Sequence, residues 1–410
     1  MLDKKVTIIF FTPYLLPIPG AVWRRIGYFS EYLKQKGFDT YIIGAITLER
    51  DIAKIISQIK KLTKDYYFKV FNFQLMIPFS FWPIQIFNAI IGSFPNIILL
   101  LLLKPKVVVI SIPYIEFLPL TFLGARLTGA KIVIDVRDPM EYWVSWNKGL
   151  TKKLFILIAR LNYFLMKNAH VIITVTPELA RFLSRNGVYA HVIRNGADIR
   201  AFKPYRKENA RRHLGLAENM FIMVMNGYLG GYYDAKPLLK AIELIPYNFK
   251  RRILLLVVGG FSDPNYAREF AVYVVKKRLN ENVKILGKVM DADKLTKILS
   301  AADIGLVPYT EDPLLDFAIP AKFYEYIACG IPVLALTRKG SALWNIVNSW
   351  GVGYALEPHD VSSIANALLD ALNTSGHFFK REKILRLRSV IDRSREAERL
   401  FLLVRKLVNE

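Results

Sequence analysis

The segment 316–336 carries the residues best suited to bind a charged small molecule. It reads DFAIPAKFYEYIACGIPVLAL, and we predict a helix that starts at Pro320 and ends at Gly330. Lys322 lies in the first turn and Glu325 one turn later. A cation beside the N–H groups of a helix start suits a pyrophosphate, and a carboxylate one turn on can accept hydrogen bonds from two ribose hydroxyls. The alternative is an exposed ion pair between these two side chains.

Three charged residues crowd the end of a predicted strand in the first half of the chain. The sequence KIVIDVRDPMEYW places Asp135, Arg137 and Asp138 at the carboxyl edge of that strand, where α/β proteins bind ligands. Burial of these charges is costly unless they are paired. They are therefore candidates for a binding site, and the alternative is an Asp–Arg ion pair that only fixes the loop.

A single glycine follows the first predicted strand. Gly20 stands in a proline-rich loop before a predicted helix. A residue without a side chain at a helix start lets backbone N–H groups approach a phosphate or a sugar. One glycine is not a dinucleotide fingerprint, and a plain turn is the alternative.

No metal centre and no cofactor are expected. Cys329 is the only cysteine, which excludes an internal disulfide and a cysteine-based zinc or iron–sulfur site, and which fits a reducing compartment. The five histidines lack the spacing of metal ligands: His170, His191, His213, His359 and His377.

The composition is that of a folded and strongly basic protein. Of 410 residues, 53% are apolar, and the formal net charge is +23. This excludes a disordered chain and predicts an extended anionic partner, either nucleic acid or a membrane. The aromatic residues occupy core-like positions and do not alternate with a basic stripe, so the membrane is favoured and nucleic acid is not expected. The alternative is that the positive charge reflects no partner, because the proteins of the source organism are basic in general.

Two series of apolar, β-branched runs predict two parallel sheets. Each series has five candidate strands, at 6–11, 40–46, 106–111, 131–136 and 171–176, and at 221–227, 253–260, 283–287, 304–309 and 332–336. Strands that are apolar on both faces and joined by amphipathic segments are typical of doubly wound α/β domains. We therefore predict two such domains facing each other across a cleft, with the boundary near 198–219.

Residues 50–104 depart from this pattern. Isoleucine and lysine spacing predicts a basic amphipathic helix at 51–64, and 79–103 contains no charged residue. Pro83 and Pro95 interrupt the second segment, so a monotopic membrane patch is favoured over a membrane span. An ordinary sheet-covering helix is the alternative.

Taken in order, these motifs resemble a family 4 glycosyltransferase of the GT-B fold. The resemblance covers nearly the whole chain, and its most specific parts are VIRNGADIRAFKP at 192–204 and IPAKFYEYIACGIPVLA at 319–335. It implies two Rossmann-like domains, 1–198 for the acceptor and 199–388 for the nucleotide sugar. A helix at 389–410 would then cross back to the first domain.

The resemblance also implies a donor site. Glu325 matches the glutamate that holds the ribose, and Lys236 resembles a lysine that contacts the diphosphate. The remaining matches, for the diphosphate, the donor sugar, the base and the N-terminal wall of the site, are Pro320, Ala321, Lys322, Asp316, Phe317, Ile319, Gly287, Lys288, Gly20 and Arg25. The family usually has a second glutamate where this chain has Phe317.

We therefore expect a glycosyltransferase that uses a UDP- or GDP-sugar and a lipid-linked or other membrane-proximal glycan acceptor, and the resemblance implies that the transfer retains the anomeric configuration. Arg137 and Asp138 are the catalytic candidates, which would orient the acceptor hydroxyl. The protein would lie on the cytoplasmic face of the membrane, as a peripheral or monotopic protein. The alternatives are an epimerase or phosphorylase on the same fold, and an inactive subunit that recruits a partner to the membrane.

Overall fold

The computed structural model of the chain describes residues 6–16, 21–47, 70–74, 94, 96–112, 117–145, 148–289, 291–374 and 379–410. The chain divides into two compact units. Unit 1 consists of Met1–Arg194 and Glu396–Glu410, and unit 2 consists of Asn195–Arg395.

Unit 1 is built on a seven-stranded parallel sheet. Its strands are β1 (Thr7–Leu16), β2 (Asp39–Thr47), β3 (Val70–Gln74), β4 (Val107–Ile112), β5 (Lys131–Val136), β6 (Val171–Thr174) and β7 (His191–Val192). They are paired in the order β3-β2-β1-β4-β5-β6-β7. The central β4 and β5 are buried along nearly their whole length, which is why both read as continuous apolar runs.

Helices cover both faces of this sheet. They are α1 (Ala21–Gln35), the helical segment 96–103, α2 (Leu118–Leu127), α3 (Met140–Ser145), α4 (Gly149–Lys167) and α5 (Pro177–Ser184). The connection through α1 steps from β1 to β2, whereas α2 and α4 step the opposite way along the sheet. Because such crossovers are right-handed, α1 lies on one face and α2 and α4 lie on the other.

Unit 2 is built on a six-stranded parallel sheet. Its strands are β8 (Phe221–Leu229), β9 (Ile253–Phe261), β10 (Val283–Ile285), β11 (Ile304–Pro308), β12 (Val333–Leu336) and β13 (Gly353–Leu356). They are paired in the order β10-β9-β8-β11-β12-β13. Successive strands are therefore added on one side of β8 up to β10 and on its other side from β11 onwards, so the sheet has a topological switch point between β8 and β11. Ligands of open α/β sheets bind outside the carboxyl ends of the strands at such a point.

The remaining helices pack around this second sheet or return to the first. They are α6 (Lys207–Leu214), α7 (Lys236–Leu244), α8 (Tyr247–Lys250), α9 (Pro264–Lys276), α10 (Ala292–Ser300), α11 (Ala321–Cys329), α12 (Ala342–Trp350), α13 (Val361–Asn373), α14 (Arg381–Arg386), α15 (Arg388–Ile391) and α16 (Arg393–Asn409). In α16, Leu400 and Val404 are buried in the unit 1 core with Ile8 and Phe10.

The two parallel sheets confirm the predicted fold class, but the predicted five strands in each were too few. The added strands are β3, β7 and β13, and each lies at the edge of its sheet. The predicted helix at 51–64 lies outside the described residues, and of 79–103 only 94 and 96–103 are described. Among the described helices, none is both long and apolar enough to cross a membrane.

Candidate functional site

Lys322 is a buried lysine in the first turn of α11, at the switch point of the unit 2 sheet. Its residue is only 8% exposed, and its Nζ lies 3.5 Å from the centroid of the Tyr233 ring. Within the described part of the chain, Nζ has no hydrogen-bond partner. The ammonium group thus holds three N–H donors at a helix start, and no described residue supplies an acceptor for them. The alternative of an exposed ion pair with Glu325 is wrong, because both residues are buried.

Local backbone geometry makes room for this lysine. Gly227 near the end of β8 has φ of +113°, which side chains rarely allow, and a Cβ there would lie 3.3 Å from Lys322 Nζ. Pro320 precedes α11 without a side-chain cap, and Gly330 ends the helix in the left-handed conformation. The sequence signals for both ends of this helix were therefore correct.

Burial controls the charge of Lys322. Desolvation lowers the pKa of its ammonium group from 10.5 to about 7, and the nearby Glu325 acts in the opposite direction. Near neutral pH the group therefore changes between its charged and neutral forms. An anion placed against Nζ would favour the charged form.

Glu325 faces the end of β8 from the next turn of α11. The residue is 2% exposed, and its Oε2 accepts a hydrogen bond of 2.7 Å from Nδ2 of Asn226. The ring of Tyr326 lies where a side chain at Gly305 would clash, and its hydroxyl is 2.9 Å from the backbone N–H of Asn226. These contacts fix the end of β8 against α11 and hold the Glu325 carboxylate in one position.

Lys236 begins α7, three residues after Tyr233. Its backbone N–H donates to the Asp234 carboxylate, and its Nζ forms an ion pair of 2.6 Å with Glu269. The ammonium group also lies 4.8 Å from the Tyr266 ring centroid. Lys236 therefore lies shortly after Tyr233 in the chain, and its ammonium group is paired with the carboxylate of Glu269.

The other predicted donor residues flank α11 or follow β10. Asp316 and Phe317 belong to a short 3-10 segment and are half-buried, and Asp316 Oδ1 lies 3.5 Å from Nε of Arg338. Burial raises the pKa of Asp316, and Arg338 opposes that shift. Ile319 is buried in the core, whereas Pro320 and Ala321 are half-buried at the helix start. Gly287, with φ of +71°, and the exposed Lys288 follow β10.

In unit 1, Arg25 is committed to protein contacts. It is fully buried, and its Nε and Nη2 donate to Asp135 at 3.3 and 3.1 Å. Its Nη1 donates to the carbonyl oxygen of Arg194, and Ser111 Oγ donates to Asp135. Asp135 at the end of β5 therefore pairs with Arg25, an arginine from outside the segment for which the Asp–Arg alternative was considered. Gly20 lies outside the described residues.

Arg137 and Asp138 follow β5 directly, and both are half-buried. Burial raises the pKa of the Asp138 carboxyl group, Arg137 lowers it, and Asp135 raises it further. A carboxylate with a raised pKa is a better proton acceptor. Across the ranges that the structure describes, no group of three or more histidine, cysteine or acidic side chains could hold a metal ion.

Sequence reasoning missed the residues that surround Lys322 and Glu325. Asn226, Gly227 and Tyr233 all lie in the stretch MNGYLGGYYDAK that begins in β8. The signal was the run of glycines at the carboxyl end of a buried strand, which in α/β proteins marks close approach of backbone to a ligand.

The sequence matches one family model and several curated proteins. Residues 206–386 match the family described as "Glycosyl transferases group 1". A curated relative is D-inositol 3-phosphate glycosyltransferase 2 of Catenulispora acidiphila, 30% identical over 201 residues, which are 47% of this chain and 45% of that protein. The chain thus spans less than half the length of this relative.

Solved structures resemble the chain over nearly its full length. A glycosyltransferase from Rickettsia africae matches with a TM-score of 0.70, 16% identity and 99% of each chain covered. HepE of Anabaena in complex with UDP-glucose matches with a TM-score of 0.71 and 14% identity, covering 98% of this chain and 99% of that one. At sequence identities this low, the similarity to these structures establishes only the fold of the chain. Residues 206–386 therefore match the group 1 glycosyl transferases, within a chain whose two Rossmann-like units have the GT-B fold.

Proposed function

We propose that this protein is a glycosyltransferase that takes a sugar from a UDP- or GDP-sugar and passes it to a lipid-linked or other membrane-proximal acceptor. The observation that carries the proposal is the buried ammonium group of Lys322, which lies at the start of α11, one turn from Glu325, and has no hydrogen-bond acceptor among the residues that the structure describes. A diphosphate would supply the missing acceptors. The match to group 1 glycosyl transferases and the UDP-glucose bound to HepE support this choice of ligand.

In this proposal the departing diphosphate is stabilised by charge. Lys322 and the N–H groups at the start of α11 would contact its oxygens, and Lys236 would approach them after leaving Glu269. Glu325 would accept hydrogen bonds from the ribose hydroxyls, with its carboxylate positioned by Asn226. Stabilisation that grows as the anomeric carbon–oxygen bond breaks lowers the barrier, because it acts on the transition state.

The acceptor side of the proposal rests on unit 1. Arg137 and Asp138 would orient the acceptor hydroxyl for attack on the face of the anomeric carbon that the nucleoside diphosphate leaves, and an oxygen of the departing diphosphate would take the hydroxyl proton. The new bond would keep the configuration of the donor sugar, as the family resemblance implies. The net charge of +23 supports an acceptor at an anionic membrane surface on the cytoplasmic side, with the protein bound peripherally.

Transfer is expected to need no metal ion and no cofactor, because lysines and a helix start would neutralise the diphosphate. The test follows labelled sugar from UDP- and GDP-sugars into a membrane lipid extract, with and without excess EDTA. We expect incorporation from one nucleotide, unchanged by EDTA.

Loss of transfer in EDTA that added metal restores would contradict the metal-free proposal. Donor binding without any transfer would instead favour the inactive subunit, for which Phe317 in place of the usual glutamate is the supporting observation.

A further inference from the structure

One face of unit 1 exposes large apolar side chains on three helices. These helices are the segment 96–103, α2 and α4, on the side of the sheet opposite α1. Their exposed apolar residues are Ile98, Leu101, Leu102, Leu123, Leu127, Leu150, Leu157, Leu161 and Phe164. Single exposed leucines are ordinary, but a group on neighbouring helices marks an interaction surface.

Helix α4 shows that the pattern is organised. Leu150, Leu157, Leu161 and Phe164 follow one another at intervals of seven, four and three residues, so they form one stripe along the helix. Leu157 and Phe164 are 62% and 63% exposed. On the opposite side of the helix, Phe155, Ala159 and Met166 are buried. The helix is therefore apolar on two sides, and only one of them faces the core.

The three helices adjoin one another. Arg126 at the end of α2 donates a hydrogen bond of 2.5 Å to the carbonyl oxygen of Asn168, which ends α4. Gly124 of α2 lets the segment 96–103 approach, because a Cβ at this glycine would lie 3.1 Å from side-chain atoms of Ile97 and Leu100. We call the exposed side chains of these three helices the apolar-basic face.

The charges on this face have a single sign. The three helices carry the exposed basic residues Arg126, Lys152, Lys153, Arg160 and Lys167, and their sequences contain no aspartate or glutamate. On α16, by contrast, the exposed Leu402 belongs to a helix with both signs of charge, including Glu398 and Lys406. A surface that combines apolar side chains with basic residues, and carries no acidic ones, is complementary to an anionic lipid bilayer. The apolar side chains can contact the acyl chains, and the basic residues can contact the anionic headgroups.

We propose that the apolar-basic face of unit 1 binds an anionic lipid bilayer, with the α4 stripe entering the interface between headgroups and acyl chains. This inference rests on the membrane-proximal acceptor of the proposed function and assigns it a surface. Vesicle binding needs neither donor nor acceptor. The protein could therefore bind nucleotide but not vesicles, or vesicles but not nucleotide, and the two results distinguish failure of this inference from failure of the proposed function.

The test is co-sedimentation of the full chain with vesicles of phosphatidylglycerol and phosphatidylcholine. Leu157→Glu combined with Leu161→Glu should lower the vesicle partition coefficient by about tenfold or more, because burial of these side chains is lost. Arg160→Gln combined with Lys153→Gln should lower it by about tenfold on anionic vesicles. The matched controls are Leu402→Glu and Lys406→Gln on α16, which should bind as the wild type does.

Circular dichroism and the melting temperature establish that each variant is folded. Equal binding of the wild type and the Leu157/Leu161 variant would overturn the proposal. So would a wild type that stays in the supernatant at low salt. If that wild type also self-associates, and Leu157→Glu abolishes the association, the face joins two copies of the chain instead.

Discussion

Replacing Lys322 by methionine is expected to weaken nucleotide-sugar binding and to raise the melting temperature at the same time. Loss of a charge-assisted hydrogen bond to the diphosphate costs about 1.5–3 kcal/mol, or about ten- to a hundredfold in the dissociation constant. In the unliganded protein the same ammonium group is buried, and the described residues offer it no acceptor, which is unfavourable. Methionine fills a similar volume without a charge, so the unliganded fold gains stability.

The two effects should depend on pH in a defined way. The pKa of Lys322 is about 7 in the folded protein and 10.5 in an ordinary environment, so between these values only the unfolded chain holds the proton. Wild-type stability therefore rises with pH across this window, and below pH 7 the full cost of burying the charge is present. The stability gained in Lys322→Met is a few kcal/mol near pH 6 and shrinks towards pH 10.

The affinity for the donor should depend on whether Lys322 is protonated. Wild-type affinity falls as pH rises above about 7, because neutral Lys322 must take up a proton to bind the diphosphate, and the methionine variant loses this dependence. Calorimetry and thermal unfolding measure both quantities. Lys294→Met, which removes an exposed lysine from α10, is the control and should change neither. A methionine variant that binds donor like the wild type at pH 6 would refute the role of Lys322.

Replacing Arg25 by methionine is expected to destabilise the protein by about 3–5 kcal/mol, because Asp135 would remain buried without its cation. Asp135→Asn alone should also destabilise, and the double variant should cost less than the sum of the two, since no charge is then left unpaired. Guanidinium unfolding measures the free energies. The control is Arg24→Met at the neighbouring exposed arginine, expected to cost less than about 1 kcal/mol.

This experiment also decides between two roles for Arg25. The family resemblance implies that Arg25 lines the donor site, whereas its three guanidinium contacts with Asp135 and the Arg194 carbonyl are structural. If Arg25→Met keeps the full stability of the wild type but binds the donor more weakly, the structural role is contradicted and the donor-site role is supported.

The strands that sequence reasoning missed are all edge strands. Central strands such as β4 and β5 are buried on both faces and must be apolar throughout, so their sequences identify them. Among the strands that the structure describes, the added β3, β7 and β13 each pair on one side only. The two residues of β7, His191 and Val192, are respectively exposed and half-buried, and no apolar run marks them. Edge strands need less apolar character, so the pattern of the sequence does not reveal them.

The site was predictable where helix chemistry determines it. Pro320 and Gly330 mark the ends of α11, and the three-residue spacing brings Lys322 and Glu325 to one side of the helix. Their burial was not predictable, because it depends on Tyr233 and Asn226, which lie about 90 or more residues away in sequence. The long-range pair of Arg25 and Asp135 was missed for the same reason.

The most direct test of nucleotide-sugar binding by unit 2 is calorimetric titration of UDP and GDP into the wild type and Glu325→Gln. Glutamine keeps an acceptor for Asn226 but loses the charge and one acceptor for the ribose, so the fold should be retained. One nucleotide should bind at one site per chain, and Glu325→Gln should weaken it by about tenfold. Glu281→Ala, at an exposed residue just before β10, should leave binding unchanged. No binding of either nucleotide, or equal affinity in Glu325→Gln, would contradict the account.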